Sequence, residues 1–253
     1  MRATSRGFTL LETMIVVTII GIVSAMAVAT LSGLGARNAP QNATNDVVSA
    51  LQLARSLSLQ NGSDVYVVVY PHMALKWLSG STFSADPNAA EGRGVLFIYE
   101  DIDGDFLANP QPPNTSCSGA PGESCHRSSW NPVAGQVYTQ VAVGRDRLVK
   151  ILEMERYPKK NVKFGATTTT RWKAPYSGVT DSMAGLVATT GCSFCTNRQG
   201  AILFSDGRAV TLDENWQVVG GPIAGLGLQG VTNPDNEVLL AVVRSTGIVT
   251  AVK

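Results

Sequence analysis

The chain has 253 residues, of which 44% are hydrophobic and 15% are charged, and its net charge is +1. This composition is typical of a globular protein. A charge balance so close to zero gives no general attraction to a polyanion, so no nucleic-acid partner is expected.

The first predicted element is a long apolar helix near the start of the chain. No charged residue occurs from Thr13 to Ala36, a run of 24 residues. As a helix this run would extend ~36 Å, and the hydrocarbon core of a bilayer is ~30 Å thick. Glu12 stands at its beginning, where an acid is costly in a membrane. We therefore expect Glu12 to have a positively charged partner on another molecule.

Three interpretations of this segment compete. Arg2 and Arg6 before an apolar run, with Ala25-Met26-Ala27 as a small-x-small site, fit a cleaved secretory signal. The same two arginines fit a simple anchor that holds its start in the cytoplasm. The third interpretation rests on Gly7-Phe8-Thr9-Leu10-Leu11-Glu12, which resembles the processing motif of type IV pilins and pseudopilins.

The resemblance implies a leader of residues 1–7, cleavage between Gly7 and Phe8, and N-methylation of Phe8. Loss of Arg2 and Arg6 would change the net charge from +1 to −1. It also implies a prepilin peptidase, a pilus assembly platform and other pilins as partners. The protein would span the inner membrane once, through about residues 8–36, with its head in the periplasm before assembly into a pilus or pseudopilus.

Glu12 has a physical role under this interpretation. Cleavage creates an amino group on Phe8, which is largely protonated at pH 7 because its pKa is roughly 7.7–8.0. Glu12 of one subunit can pair with this amine on the next subunit, since opposite charges within ~4–6 Å favour each other's charged forms. Amine and acid are offset along the helix, so the pairing requires an axial stagger between subunits, as in a helical polymer.

The helix is expected to continue to about residue 62, with a kink or break near Pro40. Short polar residues from Asn42 onwards can restart it, and Asn61-Gly62 would end it. One face carries apolar residues at helical spacing: Val47, Ala50, Leu51, Ala54 and Leu57. This face predicts an amphipathic helix packed on a core, so the predicted domains are a helix of residues 8–62 and a head of residues 63–253.

The head is predicted to be rich in β-structure, since short β-branched and aromatic runs alternate with turn signals. Strands are expected at residues 64–70, 73–78, 94–100, 136–143, 148–154, 201–205, 208–212, 237–243 and 248–252. The first two should form a hairpin across Pro71-His72. The predicted fold class is α+β, a long helix packed on an antiparallel sheet or β-sandwich.

Several segments of the head resemble one branch of the pilin family, the minor pilins FimT and FimU and the minor pseudopilin GspH. The matching segments are residues 53–62, the strand 65–69, the turn Ser205-Asp206-Gly207 and the hairpin 244–249. Residues 79–94, 106–135 and 165–200 depart from that pattern and read as long inserted loops. We expect these loops to contact the particular neighbours of this subunit.

Four cysteines, Cys117, Cys125, Cys192 and Cys195, lie in the part expected outside the cytoplasm. Disulfides persist there. The favoured pairs are Cys117–Cys125 and Cys192–Cys195, although four cysteines allow three pairings. A zinc site is the alternative, and a Cys-x-x-Cys redox role is less favoured because no βαβ pattern surrounds Cys192.

Asp101, Asp103 and Asp105 place three carboxylates at alternate positions, a spacing that suits calcium. The loop is not an EF-hand, because Phe106 and Pro112 occupy the positions of the conserved glycine and glutamate. A polar turn without a metal is the preferred interpretation, so no cofactor is expected.

Catalytic signals are weak. The chain has two histidines, His72 and His126, and lacks both a nucleophile elbow and a phosphate-binding glycine loop. For DNA uptake, basic residues at 159–163 and at Arg244 and Lys253 make too short a strip. The sequence therefore predicts a non-enzymatic minor pilin. The alternatives are a minor pseudopilin of type II secretion, or a membrane-anchored binding or enzymatic domain.

Overall fold

A computed structural model describes residues 9–79, 82–86, 92–102, 104, 106, 137–139, 147–165, 191–195 and 199–252. The chain divides into two compact units, Met1–Asn38 and Ala39–Lys253. An N-terminal apolar helix is followed by antiparallel β-sheets, so the predicted α+β class is confirmed.

The described residues form one long helix and twelve strands, numbered here in chain order. They are α1 (Leu10–Asn61), β1 (Asp64–Tyr70), β2 (Ala74–Ser79), β3 (Thr82–Asp86), β4 (Val95–Asp101), β5 (Val137–Thr139), β6 (Arg147–Glu153), β7 (Val162–Phe164), β8 (Gly200–Ser205), β9 (Arg208–Leu212), β10 (Ile223–Gly230), β11 (Glu237–Val243) and β12 (Ile248–Val252). Two short 3-10 turns, Met154–Arg156 and Pro158–Lys160, separate β6 from β7.

Helix α1 continues through Pro40, where the sequence predicted a kink or a break. The hydroxyl of Thr44 donates to the carbonyl of Pro40 at 2.7 Å. The predicted end of the helix is confirmed. Gly62 follows Asn61 with φ +65°, a conformation that glycine adopts without steric cost, and its N–H donates to the carbonyl of Ser58 at 3.1 Å.

The five-stranded sheet has the order β6-β4-β1-β8-β9, and every neighbouring pair is antiparallel. The second sheet has the order β12-β11-β10-β7, and the third has the order β2-β3-β5. The predicted hairpin of residues 64–70 with 73–78 is wrong. Strand β2 pairs with β3, whereas β1 lies between β4 and β8 at the centre of the large sheet.

Two apolar cores lie on opposite faces of β1. Val65, Val67 and Val69 join the larger core, which includes the buried face of α1 and residues of β10 and β11. Tyr66, Val68 and Tyr70 point the other way, because successive side chains of a strand alternate. They pack with aromatic residues, which include Phe83, Phe97, Tyr99 and Phe106. Both faces of the large sheet are therefore covered.

Candidate functional site

A capping box begins helix α1. The backbone N–H and the hydroxyl of Thr9 both donate to Oε2 of Glu12, each at 3.0 Å. In return, the N–H of Glu12 donates to Oγ1 of Thr9 at 3.3 Å. This reciprocal arrangement satisfies donors that a helix start otherwise leaves unpaired. Sequence reasoning identified Glu12 and missed Thr9, although the Thr-x-x-Glu spacing is itself the signal for such a cap.

The helix that follows this cap is apolar on all sides and is not buried within the chain. Residues Leu10–Ala27 have a mean hydropathy of 2.2, and no part of this span is buried. Large apolar side chains that are each at least half exposed are Leu10, Leu11, Met14, Ile15, Val16, Val17, Ile19, Ile20, Ile22, Val23 and Met26. A helix that is hydrophobic all round matches a membrane span by length and composition.

The C-terminal part of α1 has the opposite character, since one face is buried against the head. The fully buried residues are Ala39, Ala43, Val47, Ala50, Leu51 and Ala54. Leu57 is partly buried against the same core, while Gln52 and Gln60 are exposed. The predicted amphipathic face is confirmed.

The expected cleavage and methylation residues, Gly7 and Phe8, lie outside the described residues, which begin at Thr9. Glu12 is described and exposed. The cap places its carboxylate on the first turn of an exposed apolar helix, four residues after the expected new terminus at Phe8.

The buried segment Gly191–Cys195 contains a disulfide between Cys192 and Cys195, one of the two favoured pairs. The segment pairs with β10 next to β7, through an antiparallel bridge between Cys192 and Leu226. The N–H of Ser193 donates to the carbonyl of Gly225 in β10, and the N–H of Gly225 donates to Oγ of Ser193, both at 2.8 Å. Because both cysteines are fully buried, this disulfide acts as a structural staple of the head. Cys117 and Cys125 lie outside the described residues.

The calcium candidate is described only in part, since Asp103 and Asp105 lie outside the described residues. Asp101 is buried. Its Oδ1 accepts the N–H of Gly104 at 2.8 Å, and its Oδ2 accepts the N–H of Phe106 at 3.1 Å. The carboxylate therefore accepts two backbone donors of the loop, one of them from Phe106, which is buried in the aromatic core.

Arg244 and His72, considered above for DNA binding and catalysis, have different surroundings. Arg244 follows β11, and its guanidinium donates through Nη2 to the carbonyl of Val219. Its backbone carbonyl accepts the N–H of Ala209 in β9 at 2.9 Å. Partial burial lowers the pKa of this guanidinium. Arg244 thus links the two larger sheets, whereas His72 is exposed in the turn after β1, and His126 lies outside the described residues.

Comparison with known proteins supports the interpretation of the N-terminal segment. A family profile described as the prokaryotic N-terminal methylation motif matches residues 2–28. The matched segment contains Gly7, Phe8 and Glu12, and it covers the capped start of α1. No curated protein and no solved structure matches the chain significantly.

The match indicates a type IV pilin-type prepilin protein, with a prepilin leader before its apolar helix. Such a leader and helix indicate membrane anchoring, incorporation into a pilus-type assembly, processing by a prepilin peptidase, and a structural rather than an enzymatic role.

Proposed function

We propose that this protein is a minor pilin. It is inserted in the inner membrane, cleaved between Gly7 and Phe8, methylated on Phe8, and assembled through its N-terminal helix into a type IV pilus or its priming tip. The observation that carries the proposal is the exposed, all-round apolar helix that begins with one capped acid inside the methylation-motif match.

The driving force for assembly is packing between apolar helices. Side chains such as Val16, Ile19, Ile20 and Val23 expose more than half of their surface in the single subunit, so a filament of packed helices would bury them against one another. Glu12 adds direction, because its carboxylate can pair with the Phe8 amine of the neighbouring subunit. The parts of the inserted loops 79–94, 106–135 and 165–200 that lie outside the described residues are the proposed contacts with specific neighbours.

The head lies in the periplasm under this proposal. The buried disulfide between Cys192 and Cys195 supports that location, because disulfides are stable in oxidising compartments and rare in the cytosol.

The first test is mass spectrometry of the mature N-terminus. The expected result is an N-methylated Phe8. An intact Met1, or a terminus near Val28, would contradict the proposal and leave a membrane-tethered or secreted domain.

The second test replaces Glu12 by alanine. The variant should insert in the membrane and fold, because Glu12 is exposed and lies outside the compact unit Ala39–Lys253 that contains the head, but it should be absent from sheared filaments. Glu155→Ala, which removes an acid from the partly exposed pair with Lys160, is the matched control and should be incorporated normally. Loss of pili in a deletion strain identifies a pilus subunit, and loss of protein secretion identifies a type II pseudopilin instead.

A further inference from the structure

Strand β12 forms an outer edge of the second sheet, and among the described residues its only strand partner is β11. Its sequence, Ile-Val-Thr-Ala-Val, contains no charge, proline or glycine. An uncharged, β-branched edge presents unpaired backbone groups and pairs readily with another strand unless it is protected.

The other outer strands of the two larger sheets are protected. Strand β6 carries charged residues, among them Lys150 and Glu153. Strand β9 is covered, because the N–H of Val219 donates to the carbonyl of Thr211 at 2.8 Å. Strand β7 is short, with three residues. Its edge is partly paired, because the N–H of Phe164 donates to the carbonyl of Arg93 at 3.2 Å. Among the described residues, the outer edge of β12 therefore lacks the protection that β6, β7 and β9 have.

A groove of about 310 Å³ borders this edge, between β12 and the exposed side of α1. It is lined by Gln52, Arg55, Ser56, Leu59, Gly247, Ile248 and Val249. Leu59 is 57% exposed and Ile248 is 48% exposed, so its walls present apolar surface to solvent. Gly247 has φ +62°, and a Cβ there would lie 2.5 Å from the carbonyl oxygen of Gly207 and 3.2 Å from Cδ of Arg55. Glycine at this position lets the Arg55 stem pass along the groove.

Arg55 gives the groove a positive charge. Its Nε donates a long hydrogen bond of 3.4 Å to the carbonyl of Gly207. The ion pairs within the described part of the chain are Arg156–Glu153 and Lys160–Glu155, so no described acid neutralises Arg55. A guanidinium that lacks an acidic partner forms its strongest hydrogen bonds with a carboxylate.

We propose that the edge of β12 and this groove bind an extended strand from a different pilin-type subunit. The inference rests on the proposed function, which supplies such subunits as neighbours. The incoming strand adds to β12 through backbone hydrogen bonds, places apolar side chains on Leu59 and Ile248, and directs a carboxylate to Arg55. Pairing of two copies of this chain through β12 is disfavoured, because β12 has no acidic residue and a second copy of the strand would therefore bring no carboxylate side chain to Arg55.

The test uses a photo-cross-linking amino acid, p-benzoylphenylalanine, at Thr250 in the full-length protein within membranes of the native host. The same residue at Lys76, which is exposed on β2, is the matched control. The expected result is an adduct from position 250 alone, whose cross-linked peptide belongs to an extended segment of another protein with a prepilin motif.

Arg55→Glu should reduce this adduct about tenfold, the equivalent of ~1.4 kcal/mol. Arg208→Glu, the same change at an exposed position on β9, should leave it unchanged, which excludes general damage to the head. Replacing the partner's acid by lysine should restore the adduct of Arg55→Glu.

An adduct within the same chain, with a second copy of it, or no stronger than the Lys76 control would overturn the inference. Failure of the proposed function is a separate result: in that case Glu12→Ala would enter filaments normally. If Glu12→Ala is excluded and Thr250 gives no specific adduct, the pilin assignment stands and only the groove assignment fails.

Discussion

The side-chain amide of Asn61, the last residue of α1, donates a 2.5 Å hydrogen bond to Oε1 of Glu100 in β4. The hydroxyl of Ser63 donates to the same oxygen at 2.9 Å. Glu100 is fully buried, so this carboxylate holds the exit of the helix against the large sheet. The contact fixes the point at which the chain leaves α1 and enters β1.

Glu100→Ala should destabilise the head by about 2–3 kcal/mol, because it removes a charged acceptor and leaves the donors of Asn61 and Ser63 without it. Chemical denaturation of the protein in detergent micelles, followed by tryptophan fluorescence, measures the change. Asp235→Ala, at an exposed turn, should stay within about 0.5 kcal/mol of the wild type. Equal stability of the two variants would show that the Glu100 contacts contribute little.

The elements that the sequence predicted best have strong local signals. The bounds of β1, β9, β11 and β12 agree with the predicted ranges. In each, β-branched and aliphatic residues lie between clear turn signals such as Asp206-Gly207 and Thr246-Gly247. The buried face of α1 was predicted for the same reason, since Val47, Leu51 and Ala54 follow the helical period.

The strands that the sequence missed lack such local signals. In β10, Ile-Ala-Gly-Leu-Gly-Leu-Gln-Gly, the glycines reduce β-propensity. The strand nevertheless forms, and backbone groups of Gly225 and Gly227 hydrogen-bond the segment Gly191–Ser193. Strand β3 fell within a predicted loop, and it forms because β2 and β5 pair with it. The pairing of β3 with β5 and the contacts of β10 with Gly191–Ser193 are non-local, so the local sequence pattern does not contain them. The pairing of β3 with the preceding strand β2 is local and was missed.

The wrong hairpin has a physical explanation that was visible in the sequence. Strand β1 reads Asp-Val-Tyr-Val-Val-Val-Tyr, which is apolar on both faces. Such a run is typical of a central strand with two covered faces. The candidate site divides similarly. Glu12 and the Cys192–Cys195 pair were predicted from local patterns, whereas the hydrogen bonds between Ser193 and Gly225 join residues that are distant in sequence.

Removing the disulfide should weaken one edge of the second sheet. Cys192→Ser with Cys195→Ser should lower the free energy of unfolding by about 2 kcal/mol, the chain-entropy value for so short a loop. Hydrogen exchange at the amide of Ser193, which donates to the carbonyl of Gly225, should become faster. Amides of the distant β6 serve as the internal control. Unchanged exchange at Ser193 would mean that the sheet contacts hold the segment without the disulfide.

Tyr157 should make stability depend on pH in the alkaline range. Burial, with the hydrogen bond from its hydroxyl to Oδ2 of Asp46 at 2.6 Å, raises the pKa of this phenol. The folded state therefore favours the neutral phenol. Its contribution is fully present below the unfolded pKa of about 10 and is lost as pH rises towards the folded value. Tyr157→Phe should flatten this decline in denaturation curves measured from pH 8 to 11. A decline as steep as in the wild type would assign the alkaline sensitivity to other groups.

Calcium should not be required for folding of the Asp101 loop. Both carboxylate oxygens of Asp101 already accept backbone N–H groups. Isothermal calorimetry should show no calcium binding, and chelation should leave the thermal midpoint unchanged. Asp101→Ala should lower stability by about 1–3 kcal/mol whether or not calcium is present, because two backbone donors lose their acceptor. A calcium-dependent rise in the midpoint, abolished by Asp103→Ala, would instead establish a metal site.

The capping box should stabilise the first turn of α1 in the unassembled subunit. Thr9→Val preserves shape but removes the hydroxyl that donates to Oε2 of Glu12 and accepts from its N–H. Amide exchange at Glu12, measured by NMR in detergent micelles, should become at least about twofold faster. Thr9→Ser retains the hydroxyl and should exchange like the wild type. If the valine and serine variants exchange equally, the remaining backbone bond from Thr9 to Glu12 is sufficient to cap the helix, and the hydroxyl has no part in holding the acid.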